Sequence, residues 1–324
     1  MASLAGAEVA WSQADAIAAT KLACALHVEG PWLAAGRAFL PAEIIAALED
    51  TQLEHAARNA WILSSAKSTS AILVDAKIPH CIVKGVALLP WLAHPGDRWL
   101  DDVDFLVPAR HRAATVNALR GSGLHAHPHL RHDGAMSDPM RDGASTEWED
   151  PNGVTVDVHF LRAPLPAATA ASEDRDGLRR ATPAALAVGL SNHVVLHHAL
   201  AQRFCARHVA DLRALLNAGH LDALAEAART DSALRRSLAY MRSLGARDLH
   251  FVTARDLPVG GDMRDHLRAA LRRTRSLIAS GEFVGSLLPG RAYLQATLND
   301  TRASTLTLHW RRWRRIAGRA RDGG

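Results

Sequence analysis

Apolar and polar positions alternate along Asp102-Val-Asp-Phe-Leu-Val107. Val103, Phe105 and Val107 fall on one side of an extended chain, and Asp102, Asp104 and Leu106 on the other. A period of two predicts a β-strand. Upstream, the apolar run in Ile78-Pro-His-Cys-Ile-Val-Lys-Gly85 stops at Lys84-Gly85 and passes into Val86-Ala-Leu-Leu-Pro-Trp-Leu92, which has helical spacing. That is a strand, a glycine turn and the start of a helix. Ala109 to Ser122 reads as a crossover helix ending at Gly121 and Gly123. Downstream, Ser145-Thr-Glu-Trp-Glu149 and Val154-Thr-Val-Asp-Val-His-Phe160 read as a hairpin, with turn chemistry in Asp150-Pro-Asn-Gly153.

The flanks lack strand signals. Residues 1–66 are Ala-rich and helical in pattern, with Pro41 opening one helix. An amphipathic stretch from about Leu53 to Lys77 leads into the first strand. Ala163-Pro-Leu-Pro166 breaks the pattern, and from about Thr182 the spacing is helical, interrupted near Gly219, Pro258-Val-Gly-Gly261 and Pro289-Gly290. The expected fold is α+β. A small mixed β-sheet over residues 67–162 is flanked by an N-terminal helical region (1–66) and a C-terminal helical domain (163–324).

Composition adds limits. A chain of 324 residues is long enough for two or three compact units. It shows no signal-peptide pattern and no apolar run of spanning length. Cys24, Cys81 and Cys205 are odd in number and widely spaced, which points to a reducing cytoplasm rather than a disulfide scaffold. The net charge of +5 is a C-terminal feature: residues 301–324 hold seven arginines against one aspartate. The Arg-rich run Trp310-Arg-Arg-Trp-Arg-Arg315 suits anionic lipid, nucleic acid or an acidic substrate, or equally a solvated helix end.

The candidate chemistry lies on the strands. Asp102 and Asp104 share one face, where two like charges raise each other's pKa unless a cation joins them. A hard divalent ion such as Mg²⁺ removes the conflict. Asp157 is a third carboxylate on a largely apolar strand, and His159 shares its face. His159 would touch phosphate or acceptor, or pair with the acids. Lys84 is one of only four lysines in an Arg-rich chain, and with Gly85 it forms a turn suited to an anion. His125, His127, His129 and His132 lie in a loop-like segment better suited to covering a cleft than to binding metal. His193 and His197 stand four apart on a helix, without the glutamate of a zinc-protease motif.

Taken in order, Val-Lys84-Gly85, Arg98-x-x-x-Asp102-Val-Asp104, Val-Asp157-Val-His159 and the helical stretch 195–216 resemble the nucleotidyltransferase superfamily with a DNA-polymerase-β-like core. The similarity is greatest to a bacterial group of uncharacterised nucleotidyltransferases that carry Lys-Gly in place of Gly-Ser, some of them accessory enzymes of peptide natural-product clusters. The resemblance implies that Asp102, Asp104 and Asp157 bind two Mg²⁺ ions, with Asp157 also helping to deprotonate the acceptor. It implies that Lys84 and Gly85 hold phosphates and that Arg98 braces the triphosphate or the acidic strand. Val86 stands where the family's phosphate-contacting serine commonly lies. The implied reaction moves an NMP, by default AMP from ATP, to a hydroxyl on a small molecule or a peptide or protein, releasing pyrophosphate. The alternatives are a non-catalytic nucleotide- or partner-binding relative and an RNA-modifying nucleotidyltransferase that uses the Arg-rich tail.

Overall fold

A computed structural model of the chain describes residues 13–25, 27–128, 138–140, 145–161, 172–194, 202–244, 246, 248–253 and 288–322. Helices α1 (Gln13–Ala25), α2 (Glu29–Gly36) and α3 (Ala42–Asp75) precede strand β1 (Cys81–Val83) and the short helix α4 (Lys84–Leu88). Strand β2 (Asp102–Pro108), helix α5 (Arg112–Gly121) and strands β3 (His125–Ala126), β4 (Ser145–Glu149) and β5 (Thr155–Leu161) follow. Then come β6 (Ser172–Arg175), β7 (Leu178–Ala181), and helices α6 (Pro183–Asn192), α7 (Gln202–Asn217), α8 (Leu221–Thr230) and α9 (Ser232–Ser243). Helices α10 (Arg291–Leu298) and α11 (Thr305–Asp322) close the chain. The α+β architecture expected from the patterning is present.

The strands form one mixed sheet in the order β3-β4-β5-β2-β1-β7-β6. β2 pairs antiparallel with β1 and parallel with β5. One face of the sheet is apolar: Val103, Phe105, Val107, Val156, Val158, Trp148 and Ile82 are fully buried. They share a core with Ile62 and Leu73 of α3 and with Val116 and Leu119 of α5. β-Branched and aromatic side chains fit this pleated, covered surface. The same core continues through Leu186 and Leu190 of α6, Leu212 and Leu215 of α7, and Leu234 and Leu238 of α9. Helices α6, α7 and α9 therefore pack as part of the sheet's own core. α1, α2 and the start of α3 bury a smaller cluster of Ala16, Leu33, Leu40 and Leu48.

Two turns follow from local chemistry. The β4–β5 turn is built on Asp150, whose Oδ1 accepts from the N–H of Asn152 (2.8 Å) and of Val154 (2.9 Å). The β6–β7 turn places Asp176 and Gly177 at φ +55° and +74°, which an Asp-Gly pair tolerates. That second hairpin lies beyond residue 163, yet it joins the sheet: Ile82 of β1 pairs with Arg180 of β7. α3 also runs unbroken across residue 66.

The connection from α4 to β2 is sewn to α3. Asn59, 1% exposed, donates through Nδ2 to the carbonyls of Pro95 (2.6 Å) and Arg98 (2.7 Å). Arg58 Nε donates to the carbonyl of Leu100 at 2.8 Å. Asn59→Ala leaves both of Asn59's acceptors without a donor in a buried place. It is expected to lower unfolding free energy by about 1–3 kcal/mol, measured by urea denaturation.

Candidate active site

The parallel register of β2 and β5 sets Asp104 opposite Asp157, Asp102 opposite Thr155 and Leu106 opposite His159. Paired residues on neighbouring strands point to the same side of a sheet, so the polar face carries all three aspartates and His159. Asp104 is 2% exposed. Its Oδ1 accepts from His159 Nε2 at 2.8 Å and from the Lys84 ammonium. One oxygen of Asp104, one of Asp157 and a ring nitrogen of His159 lie within 4.8 Å of one another.

Lys84 reaches Asp104 through an unusual backbone. It sits at the junction of β1 and α4 with φ +55°, a left-handed conformation that a residue with a Cβ adopts at a cost on the order of 1–2 kcal/mol. Gly85 follows for a steric reason: a Cβ there would lie 2.3 Å from Arg98 Nη1 and 2.5 Å from Leu100 Cδ2. The Arg98 guanidinium thus rests directly on the Gly85 backbone. Arg98 donates through Nε and Nη2 to the two carboxylate oxygens of Asp211 on α7, at 2.8 and 3.3 Å, and both side chains are buried. The Trp99 carbonyl accepts from Arg207 Nη2 at 2.7 Å. Arg180 is 1% exposed and donates through Nη1 to the Val86 carbonyl in α4.

Sequence reading placed Lys84, Asp102, Asp104, Asp157 and His159 in the site, and the structure brings these together. Arg98 lies next to the Gly85 turn but is held by Asp211. Asp101 stands apart, accepting from Trp99 Nε1 at an exposed position. His125 lies on β3 and His127 just after it, bonded to Glu149 at 2.9 Å, whereas His129, His132 and His197 fall outside the described residues. Sequence reading missed Asp211, Arg207 and Arg180. Asp211 was in view within Ala210-Asp-Leu-Arg213, but nothing local shows that its partner lies 113 residues earlier.

The electrostatics follow from this geometry. Burial, then Asp104, push the Asp102 carboxyl up to about 6. Burial, then Asp104, also raise Asp157. For Asp104, burial raises the pKa, but His159 and Lys84 outweigh it and hold the carboxylate ionised. Three clustered carboxyls thus have one ammonium and one imidazole between them. The charge deficit and the hard oxygen donors fit a divalent cation.

A family model described as uncharacterised nucleotidyltransferase matches residues 7–246. The chain belongs to that family. As a nucleotidyltransferase it is an enzyme of the transferase class. Among solved structures, it is similar to a crystal structure of ANT(2″)-Ia in complex with adenylyl-2″-tobramycin. The identity is 14%, over 53% of this chain and 95% of that one, and the TM-score is 0.38. It is also similar to an antigenic nucleotidyltransferase-like protein from Paracoccidioides brasiliensis. There the identity is 13%, over 58% of this chain and 92% of that one, and the TM-score is 0.40. No curated protein matches the chain.

Two expectations follow for this nucleotidyltransferase. Asp102 keeps its proton to higher pH in the native state than in the unfolded chain, whose value is near 3.8. The metal-free protein therefore loses stability as pH rises from about 4 to about 6, and the penalty persists above that. Asp102→Asn removes the penalty. It should raise metal-free stability by roughly 1–3 kcal/mol at neutral pH and leave it unchanged near pH 4, read from melts at both pH values. Separately, Arg98→Met and Asp211→Leu each strand a buried charge and should cost about 3–5 kcal/mol, whereas the double variant should cost much less than their sum in a denaturation cycle.

Proposed function

We propose that this nucleotidyltransferase moves a nucleoside monophosphate, by default AMP from ATP, to a hydroxyl acceptor on a small molecule or a peptide or protein. The observation that carries the reading is the pairing of Asp104 with Asp157 across β2 and β5, with Lys84 on the same carboxylate. Asp102, Asp104 and Asp157 would hold two Mg²⁺ ions. Bound there, divalent ions would neutralise phosphate charge and stabilise the entering and leaving oxygens.

The chain's own residues supply the rest. Phosphoryl transfer depends mostly on positioning and charge. Lys84 carries the positive charge at the turn, and an arriving triphosphate would compete for its ammonium with Asp104. Gly85, which has no Cβ, lets the Arg98 guanidinium lie against the turn backbone beside the proposed phosphate site. His159 keeps Asp104 oriented while Lys84 exchanges partners. Asp157 would also take the acceptor's hydroxyl proton as its oxygen attacks the α-phosphorus. The bond from the α-phosphorus to the bridging oxygen breaks, and pyrophosphate leaves.

The test is incubation of the full chain with each labelled NTP, Mg²⁺ and a cell extract, followed by mass spectrometry of adducts. A product heavier by one nucleoside monophosphate, with release of pyrophosphate, is expected. Asp104→Asn and Asp157→Asn should lower turnover by about a hundredfold or more while circular dichroism stays native. Either variant acting at the parental rate would remove the proposed roles.

A further inference from the structure

Helix α11 presents two surfaces of opposite chemistry. Its inner side holds Leu308, fully buried, and packs with α10, whose Leu294 is also fully buried. Its outer side carries Leu306, Trp310 and Trp313, which are 81%, 66% and 44% exposed. These three positions are spaced i, i+4 and i+7, so they form one stripe along the helix. Large aromatic rings exposed in a row are a feature of contact surfaces.

The stripe is bordered by positive charge. Arg311 and Arg314 are exposed, and Arg312 lies over the Trp313 ring at 5.1 Å from its centroid. The helix continues to Asp322, and the sequence adds Arg315, Arg319 and Arg321. Leucine and tryptophan on one arc with arginine around it is the pattern of a helix that lies in a membrane interface. No helix among the described residues is long and apolar enough to cross a membrane, so the contact would be peripheral.

We propose that α11 docks this protein on an anionic lipid surface, with Leu306, Trp310 and Trp313 entering the headgroup boundary and Arg311, Arg312 and Arg314 meeting lipid phosphates. Charge complementarity selects this occupant. A second copy of the chain would bring two arginine-rich helices face to face, and like charges repel. Single-stranded RNA would need ring faces free for stacking. Arg312 lies over one face of Trp313 and Leu306 has no ring, so Trp310 alone would offer two faces to bases, short of the successive platforms such a strand uses. Arg311 also pairs with Asp300, a contact that a lipid phosphate would have to displace.

The experiment is co-sedimentation of the full chain with vesicles of phosphatidylcholine containing phosphatidylglycerol, against phosphatidylcholine alone, over a range of salt. Binding only to the anionic vesicles, weakening with salt and accompanied by a blue shift of tryptophan emission, is expected. Replacing both Trp310 and Trp313 by Ser should weaken binding about tenfold or more, with the melting temperature unchanged. Arg311→Gln and Arg314→Gln should each weaken it about fivefold and flatten the salt dependence. The proposal is overturned by equal binding to neutral vesicles, by no binding to anionic ones, or by unchanged binding of the double tryptophan variant. It is equally overturned if the chain retains single-stranded RNA in a filter assay while ignoring the vesicles. NTP turnover by soluble protein does not enter the test, so the lipid site and the transferase site stand or fall separately.

Discussion

The parallel pairing of β2 with β5 is the constraint from which the rest of the site follows. It forces Asp104 and Asp157 onto adjacent rungs of one face, about 4.8 Å apart along the hydrogen-bonding direction. A buried and a half-buried carboxylate at that spacing are a net burden on the native state unless cations meet them. Lys84 and His159 both turn to Asp104, and they are enough to keep that group ionised. Asp102 and Asp157 stay raised, each by burial first and by Asp104 second. The native chain thus holds a localised shortage of positive charge, with oxygen donors already aimed at it.

That shortage is tolerable because the surrounding backbone is tightly determined. The opposite face of the sheet is a dry layer of valine, phenylalanine and tryptophan against α3 and α5. The approach to β2 is tied to α3 by Asn59 and Arg58, and α4 is held by Arg180 through the Val86 carbonyl. The Arg98–Asp211 pair extends this frame to α7. A buried ion pair stabilises little compared with apolar packing, but its two parallel bonds are directional. Through it, the helical part of the chain is indexed to the Gly85 turn and not merely packed near it.

What could be read from the sequence, and what could not, divides along physical lines. The alternation in residues 102–107 and the turn chemistry of Asp150 to Gly153 are local, and both gave elements that the structure contains. The Lys84-Gly85 turn was visible as a break in an apolar run. The β6–β7 hairpin escaped because its Asp-Gly turn is flanked by Glu173, Asp174, Arg175, Arg179 and Arg180, so no apolar alternation marks the strands. The length of α3 escaped because helical periodicity does not say where one helix stops and the next begins. Asp211, Arg207 and Arg180 escaped because each matters through a partner far away in sequence, and an arginine or aspartate on a helix or strand looks solvated until the fold buries it.

The turn at Lys84 shows how one position can serve two demands. Glycine would adopt a φ of +55° with less strain, and lysine accepts that strain. In exchange the turn gains a charge, which this stretch otherwise lacks. Val86, where a hydroxyl residue would be the more usual neighbour, is buried, and its carbonyl is taken by Arg180. The polar group at the turn is therefore the Lys84 ammonium. The ammonium balances Asp104 in the resting protein, and by its flexible stem it can leave that carboxylate when a stronger cation arrives. Strain at residue 84 and charge at residue 104 are in this sense one device, while the bare backbone at residue 85 answers to the packing of Arg98 and Leu100.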